Sequence, residues 1–107
     1  MNFLLIFVVT LATITSDVFG GTGCTAKINL AAQLSDFIQH EYINYIIANS
    51  NHHTGALIAG IGNEANNLLT NMPSMSVSDS MLLSTLDDGS PFTAACLYDY
   101  FLGRANE

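Results

Sequence analysis

The chain has 107 residues, half of them hydrophobic and only 10% charged, a length that suits one small domain and excludes a large multidomain enzyme. Lys27 and Arg104 stand against nine acidic residues, giving a formal net charge of −7. That balance excludes the basic footprint of a nucleic-acid binder and of a polybasic membrane anchor, and the high apolar fraction argues against disorder.

Residues 3–14 read FLLIFVVTLATI and then give way to the polar Thr15-Ser16-Asp17. A membrane-spanning helix needs about 20 apolar residues. This run is too short for that and fits the apolar core of a secretory signal peptide. Val18-Phe19-Gly20 places cleavage after Gly20. Residues 1–20 are therefore expected to be an export signal and residues 21–107 a single secreted, extracellular domain. A chain of that size buries only about 60–65% of its unfolded surface and benefits from a staple or a partner.

Cys24 and Cys96 are the two cysteines and lie near the two ends of that domain. Export implies an oxidising compartment in which paired thiols persist. An intrachain bridge would close most of the domain into one loop, whereas two interchain bridges would join an antiparallel dimer. Neither C-x-x-C nor H-x-x-x-H spacing is present, so no zinc site is expected.

Along the domain, Leu30, Leu34, Phe37, Ile38 and Tyr45 recur near a 3.6-residue period and predict helix from Ala26 to about Asn49. Asp36, Gln39 and Asn44 fall off that stripe, and His40-Glu41 is the expected bend between two short helices. Asn49 to His53 is polar and reads as a loop. Leu57, Ile58, Ile61, Ala65, Leu68, Leu69 and Met72 then form one apolar face over four turns, with Thr54 as N-cap and Pro73 as stop. Gly55, Gly60 and Gly62 are unfavourable inside a helix, so a close approach to a neighbour is expected there. Ser76 to Leu86 gives a shorter helix with Ser78 as cap and Asp79 in the first turn. Asp87-Asp88-Gly89 is a turn. Ser90 and Pro91 start a last helix whose face is Phe92, Ala95, Cys96 and Tyr100 and whose stop is Gly103. The fold class expected is all-α: a small four- to five-helix domain, with cysteines near both ends as its staple.

No catalytic constellation stands out. Serines lack a G-x-S-x-G setting, and Glu41 and Glu64 are isolated. His40, His52 and His53 read as solvated histidines able to sense pH near neutrality. Asp87 to Ser90 lacks the alternating ligands of a calcium loop. No enzyme activity, cofactor or metal is expected. The aromatic and apolar set is generous for the length, and four methionines add adaptable surface. Either a second chain covers the excess or the helices enclose a cavity for an apolar ligand. The residues expected to line such a cavity are Phe37, Ile38, Tyr45, Leu57, Ile61, Leu68 and Met72.

The arrangement of Cys24, Tyr45, Leu68-Leu69, Met72-Pro73, Met81-Leu82, Ser90-Pro91 and Cys96 resembles the secretoglobin, or uteroglobin-like, family over about residues 24–96. The motifs are short. Thr25 stands where a proline often follows the first cysteine, and Leu97 to Glu107 extend beyond the last one. Lysines typical of the family's third helix are absent. The resemblance implies a four-helix subunit, an antiparallel dimer bridged through Cys24 and Cys96, and a hydrophobic cavity for steroid-like or lipid-like ligands with Tyr45 inside it.

The function expected is a secreted, non-enzymatic binding protein that sequesters a small apolar ligand as a homo- or heterodimer. The alternative is a secreted structural or self-assembly module whose association responds to pH.

Overall fold

The computed structural model describes residues 22–107, so the expected export signal lies outside the described residues. Among the described residues five helices follow one another: α1 (Thr22–Ala32), α2 (Asp36–Ala48), α3 (Thr54–Asn71), α4 (Val77–Leu86) and α5 (Pro91–Ala105). No strand occurs among the described residues. The all-α class and the staple near both ends stand as expected: Cys24 and Cys96 are bonded to each other across a sequence separation of 72. The bridge lies within one chain, and both cysteines are buried. The cysteines that the family resemblance assigns to bridges between subunits are thus committed inside the subunit.

The break in the first segment falls at Gln33-Leu34-Ser35, not at His40-Glu41, which lie within α2. Ser35 supplies the reason. Its hydroxyl accepts the N–H of Ile38 and caps α2, while its own N–H donates to Asp79 on α4 at 2.8 Å. Two polar groups at one residue therefore favour a helix start over continuation. The capping assignments shift elsewhere by one or two residues. His53, not Thr54, caps α3, and Ser76, not Ser78, caps α4 by accepting the Asp79 N–H. Ser90 and Pro91 open α5 as the sequence predicts. Helix α5 runs through Gly103 to Ala105, because the Asn106 N–H closes its last turn on Leu102 and Gly103 carbonyls.

Helix α5 is the centre of the fold, packing against α1, α2 and α3, and α4 closes the remaining side against α3 and α1. Its buried face is Thr93, Ala94, Cys96, Leu97 and Phe101. Phe101 is wholly buried and stacks on Tyr42 of α2, with ring centroids 4.5 Å apart and planes 2° from parallel. The buried face of α2 is Ile38, Gln39, Tyr42, Ile43 and Ile46, rotated from the expected stripe so that Phe37 is 60% exposed. Leu57, Ile61, Ala65 and Leu68 supply the α3 face, and Leu83 and Leu86 that of α4. Burial of a leucine or isoleucine of this kind stabilises by about 1.5–3 kcal/mol.

Gln39, which falls off the predicted apolar stripe, is nevertheless buried and fully engaged. Its amide nitrogen donates to the Ala32 and Leu34 carbonyls, and its oxygen accepts from the Tyr100 hydroxyl and from Arg104 at 2.7 Å. It ties the end of α1, the start of α2 and the end of α5 together. The glycines of α3 do mark close approaches. A Cβ on Gly60 would fall on the Tyr45 hydroxyl, and one on Gly62 would lie 3.2 Å from the Ala94 Cβ of α5.

Candidate functional site, an apolar groove between α3 and α5

A groove of about 370 Å3 opens between the first half of α3, the turn after α4 and the start of α5. On α3 its wall is Gly55, Ile58, Ala59 and Gly62, positions that recur at helical spacing and so share one face. Three of the four are glycine or alanine, which leaves room a larger side chain would fill. Ile61, Ala65, Leu86 and Leu97 form the floor and belong to the core or its edge. Asp88, Gly89, Ser90 and Pro91 make the opposite wall, with Thr93 and Ala94 below. Gly89 has φ +72°, so the turn needs a residue without a side chain at that point.

The polar groups of that wall are already spoken for. One Asp88 oxygen accepts the Ser90 N–H at 2.9 Å. The other accepts the Thr93 hydroxyl at 2.7 Å and the Lys27 ammonium at 3.0 Å. Desolvation pushes the Asp88 carboxyl upward, but the Ser90, Thr93 and Lys27 contacts outweigh it and hold the group at about 2. The Ser90 hydroxyl accepts the Phe92 N–H. A ligand here meets the carbon surface of Ile58, Ile61, Leu86 and Leu97 beside the polar Asn63, Asp88, Ser90 and Thr93.

Of the seven residues expected to line a cavity, the structure places one, Ile61, in this groove. Ile38, Leu57 and Leu68 are buried core residues. Tyr45 and Met72 pack half-buried against the core, and Phe37 is exposed on the outside of α2. Of the large apolar residues of α3, Leu57 and Leu68 face the core, whereas Ile58 and Ile61 line the groove. The groove is on the neighbouring small-residue face, whose sequence signal is the Gly55, Ala59, Gly62 spacing.

Among the described residues the titratable groups do not gather into a cluster. His40 pairs with Asp36 at 3.3 Å near the start of α2, whereas His52 and His53 lie beyond its end, and 13 residues of helix span about 20 Å. No cluster of three His, Cys, Asp or Glu side chains suited to a metal occurs among the described residues. Burial pushes the Glu64 carboxyl up; a hydrogen bond from Asn67 opposes this, and Glu41 adds to it. The Tyr42 hydroxyl is buried without a hydrogen-bond partner. Burial, then the charges of Glu64 and Asp87, push it above the usual phenol range.

Among the described residues no helix is long and apolar enough to cross a membrane. Large apolar side chains remain exposed at Phe37, Ile47, Val77, Met81 and Phe92. No protein-family model, curated protein or solved structure matches this chain.

Proposed function

We propose that the chain is an exported, non-enzymatic binding protein that sequesters a small apolar molecule in the α3–α5 groove. The observation that carries this reading is the groove's composition: a volume of about 370 Å3, carbon-rich floor and helix wall, and Asp88, Ser90 and Thr93 already engaged with partners of the same chain. Ligand pockets run from about 300 to 1,000 Å3 and bind mainly by burying apolar surface, at about 25 cal/mol per Å2 less the cost of ordering. The internal disulfide supports an oxidising destination. A dimer in this reading is non-covalent, with exposed residues such as Phe37, Val77 and Met81 as its apolar contacts.

The test is uptake of the neutral fluorescent probe N-phenyl-1-naphthylamine, alongside organic extraction and mass spectrometry of the purified protein. Binding is expected, and Ala59→Trp, at an exposed position on the groove wall, is expected to weaken it at least about tenfold by filling the site. An empty preparation without dye uptake, or undiminished uptake in A59W, refutes the reading. The second reading, a secreted self-assembly module, draws on the same exposed apolar side chains. Sedimentation between pH 5 and 8 separates the two: a mass that changes with pH favours assembly.

A further inference from the structure

Helix α3 begins with an unusual cap. His53 is extended, with φ −73° and ψ 159°, and its Nδ1 accepts the N–H of Ala56 at 3.2 Å. Its carbonyl accepts from Ala56 and Leu57 at 3.0 and 3.1 Å. An imidazole nitrogen accepts only while it carries no proton. Gly55 adds a second observation: a Cβ there would lie 3.2 Å from the His53 ring, so glycine allows the imidazole to fold over the turn. The turn it secures is intrinsically weak, since Gly55, Gly60 and Gly62 all lower helix propensity. That turn is also the upper groove wall, through Gly55, Ile58 and Ala59.

We infer that protonation of His53 loosens the first turn of α3, so that the groove holds its ligand near neutral pH and yields it in mild acid. The inference rests on the binding reading above for the ligand and on the cap geometry for the switch. Doubly protonated histidine has no acceptor nitrogen, and its charge would sit at the positive end of the helix dipole. Histidine is the side chain whose charge ordinarily changes between pH 5 and 8. Few other groups bear on this end of α3. His52 precedes the cap in an exposed loop. Asp88 faces Gly55 across the groove and is paired with Lys27 of α1. Asp87 adjoins it on the turn after α4, α2 brings Tyr45 against Gly60, and α5 carries no ionisable side chain before Tyr98 apart from the bonded Cys96.

The experiment measures probe affinity at pH 7.5 and 5.5 and follows the Ala56 amide resonance from pH 8 to 5. The proteins are the unaltered chain, His53→Ser and His52→Ser. The unaltered chain and H52S are expected to lose about threefold to tenfold in affinity at pH 5.5, the scale of losing a helix cap. H53S, whose hydroxyl caps without titrating, is expected to bind equally at both values. The Ala56 resonance is expected to move with the His53 ring in the unaltered chain and to stay in place in H53S. Equal affinity at both pH values in the unaltered chain, or the same loss in H53S, overturns the inference. Should no probe bind at any pH, the binding reading fails, and an Ala56 resonance that does not follow the His53 ring overturns the switch separately.

Discussion

Replacing Tyr42 with phenylalanine is expected to make the protein more stable. The ring is wholly buried and lies flat on Phe101, and phenylalanine preserves that contact. What disappears is a hydroxyl with no hydrogen-bond partner. A buried polar group left unpaired costs about 1–3 kcal/mol relative to one that remains in water. Y42F is therefore expected to gain roughly 1 kcal/mol, with part of the full cost retained because the neighbouring Glu64 and Asp87 keep that region polar. For a domain of this size 1 kcal/mol corresponds to about 4–8 °C in Tm. Urea unfolding followed by circular dichroism gives the free energy, and a thermal scan gives the shift. Tyr42→Ala serves as the reference, since losing the ring and its stack is expected to cost about 3–5 kcal/mol. A Y42F protein less stable than the parent by about 1 kcal/mol would refute the reasoning, because it would mean that the hydroxyl has a partner of real strength.

Removing the bridge with Cys24→Ser and Cys96→Ser should destabilise the chain by about 4 kcal/mol, the loop-entropy value for a separation of 72 residues, measured by denaturation against the oxidised parent. Non-reducing mass spectrometry of the parent should give a single-chain mass; a covalent dimer would contradict the intrachain pairing. Gly60→Ala should cost about 1–3 kcal/mol because its Cβ would meet the Tyr45 ring, and pairing it with Tyr45→Leu should recover part of that loss in a double-mutant cycle. Acid unfolding should carry an Asp88 component. Its folded carboxyl lies at about 2, below the ordinary carboxylate value, so its stabilising effect is present above roughly pH 4 and lost as pH falls toward 2. Asp88→Asn should flatten that limb of the stability profile. Glu64 works in the opposite sense: burial raises its pKa, so ionisation opposes folding. Glu64→Gln should raise Tm at pH 7, and the difference should shrink as the pH falls and Glu64 itself becomes neutral.

Helix existence was legible in the sequence wherever apolar period and punctuation agreed. Leu57 to Leu68 with Pro73 behind it defined α3, and Ser90-Pro91 defined the start of α5. Rotation about the helix axis was less legible. On α2, Phe37 and Tyr42 are both candidates for the core by hydrophobicity, and only the presence of Phe101 opposite Tyr42 decides between them. Gln39 could not be read as buried, because its four partners come from residues as distant as Arg104. Caps slid for a related reason: Ser76 and Ser78 both carry a hydroxyl, and the Asp79 side chain, held by the Ser35 N–H, selects the first. The groove escaped notice because it is framed by small residues. Hydrophobic periodicity finds what fills space, whereas Gly55, Ala59 and Gly62 matter by leaving it empty.

The Gln39 junction confers a kind of chemical indifference. A carboxamide neither gains nor loses a proton at physiological pH, and a guanidinium keeps its own. In the joint that binds three helices through Gln39, Tyr100 and Arg104, the carboxamide therefore keeps its hydrogen-bonding pattern near neutral pH, while Arg104 also reaches Asp36 at 3.8 Å. A joint built this way holds the end of α1, the start of α2 and the end of α5 together without depending on the charge state of its central residue.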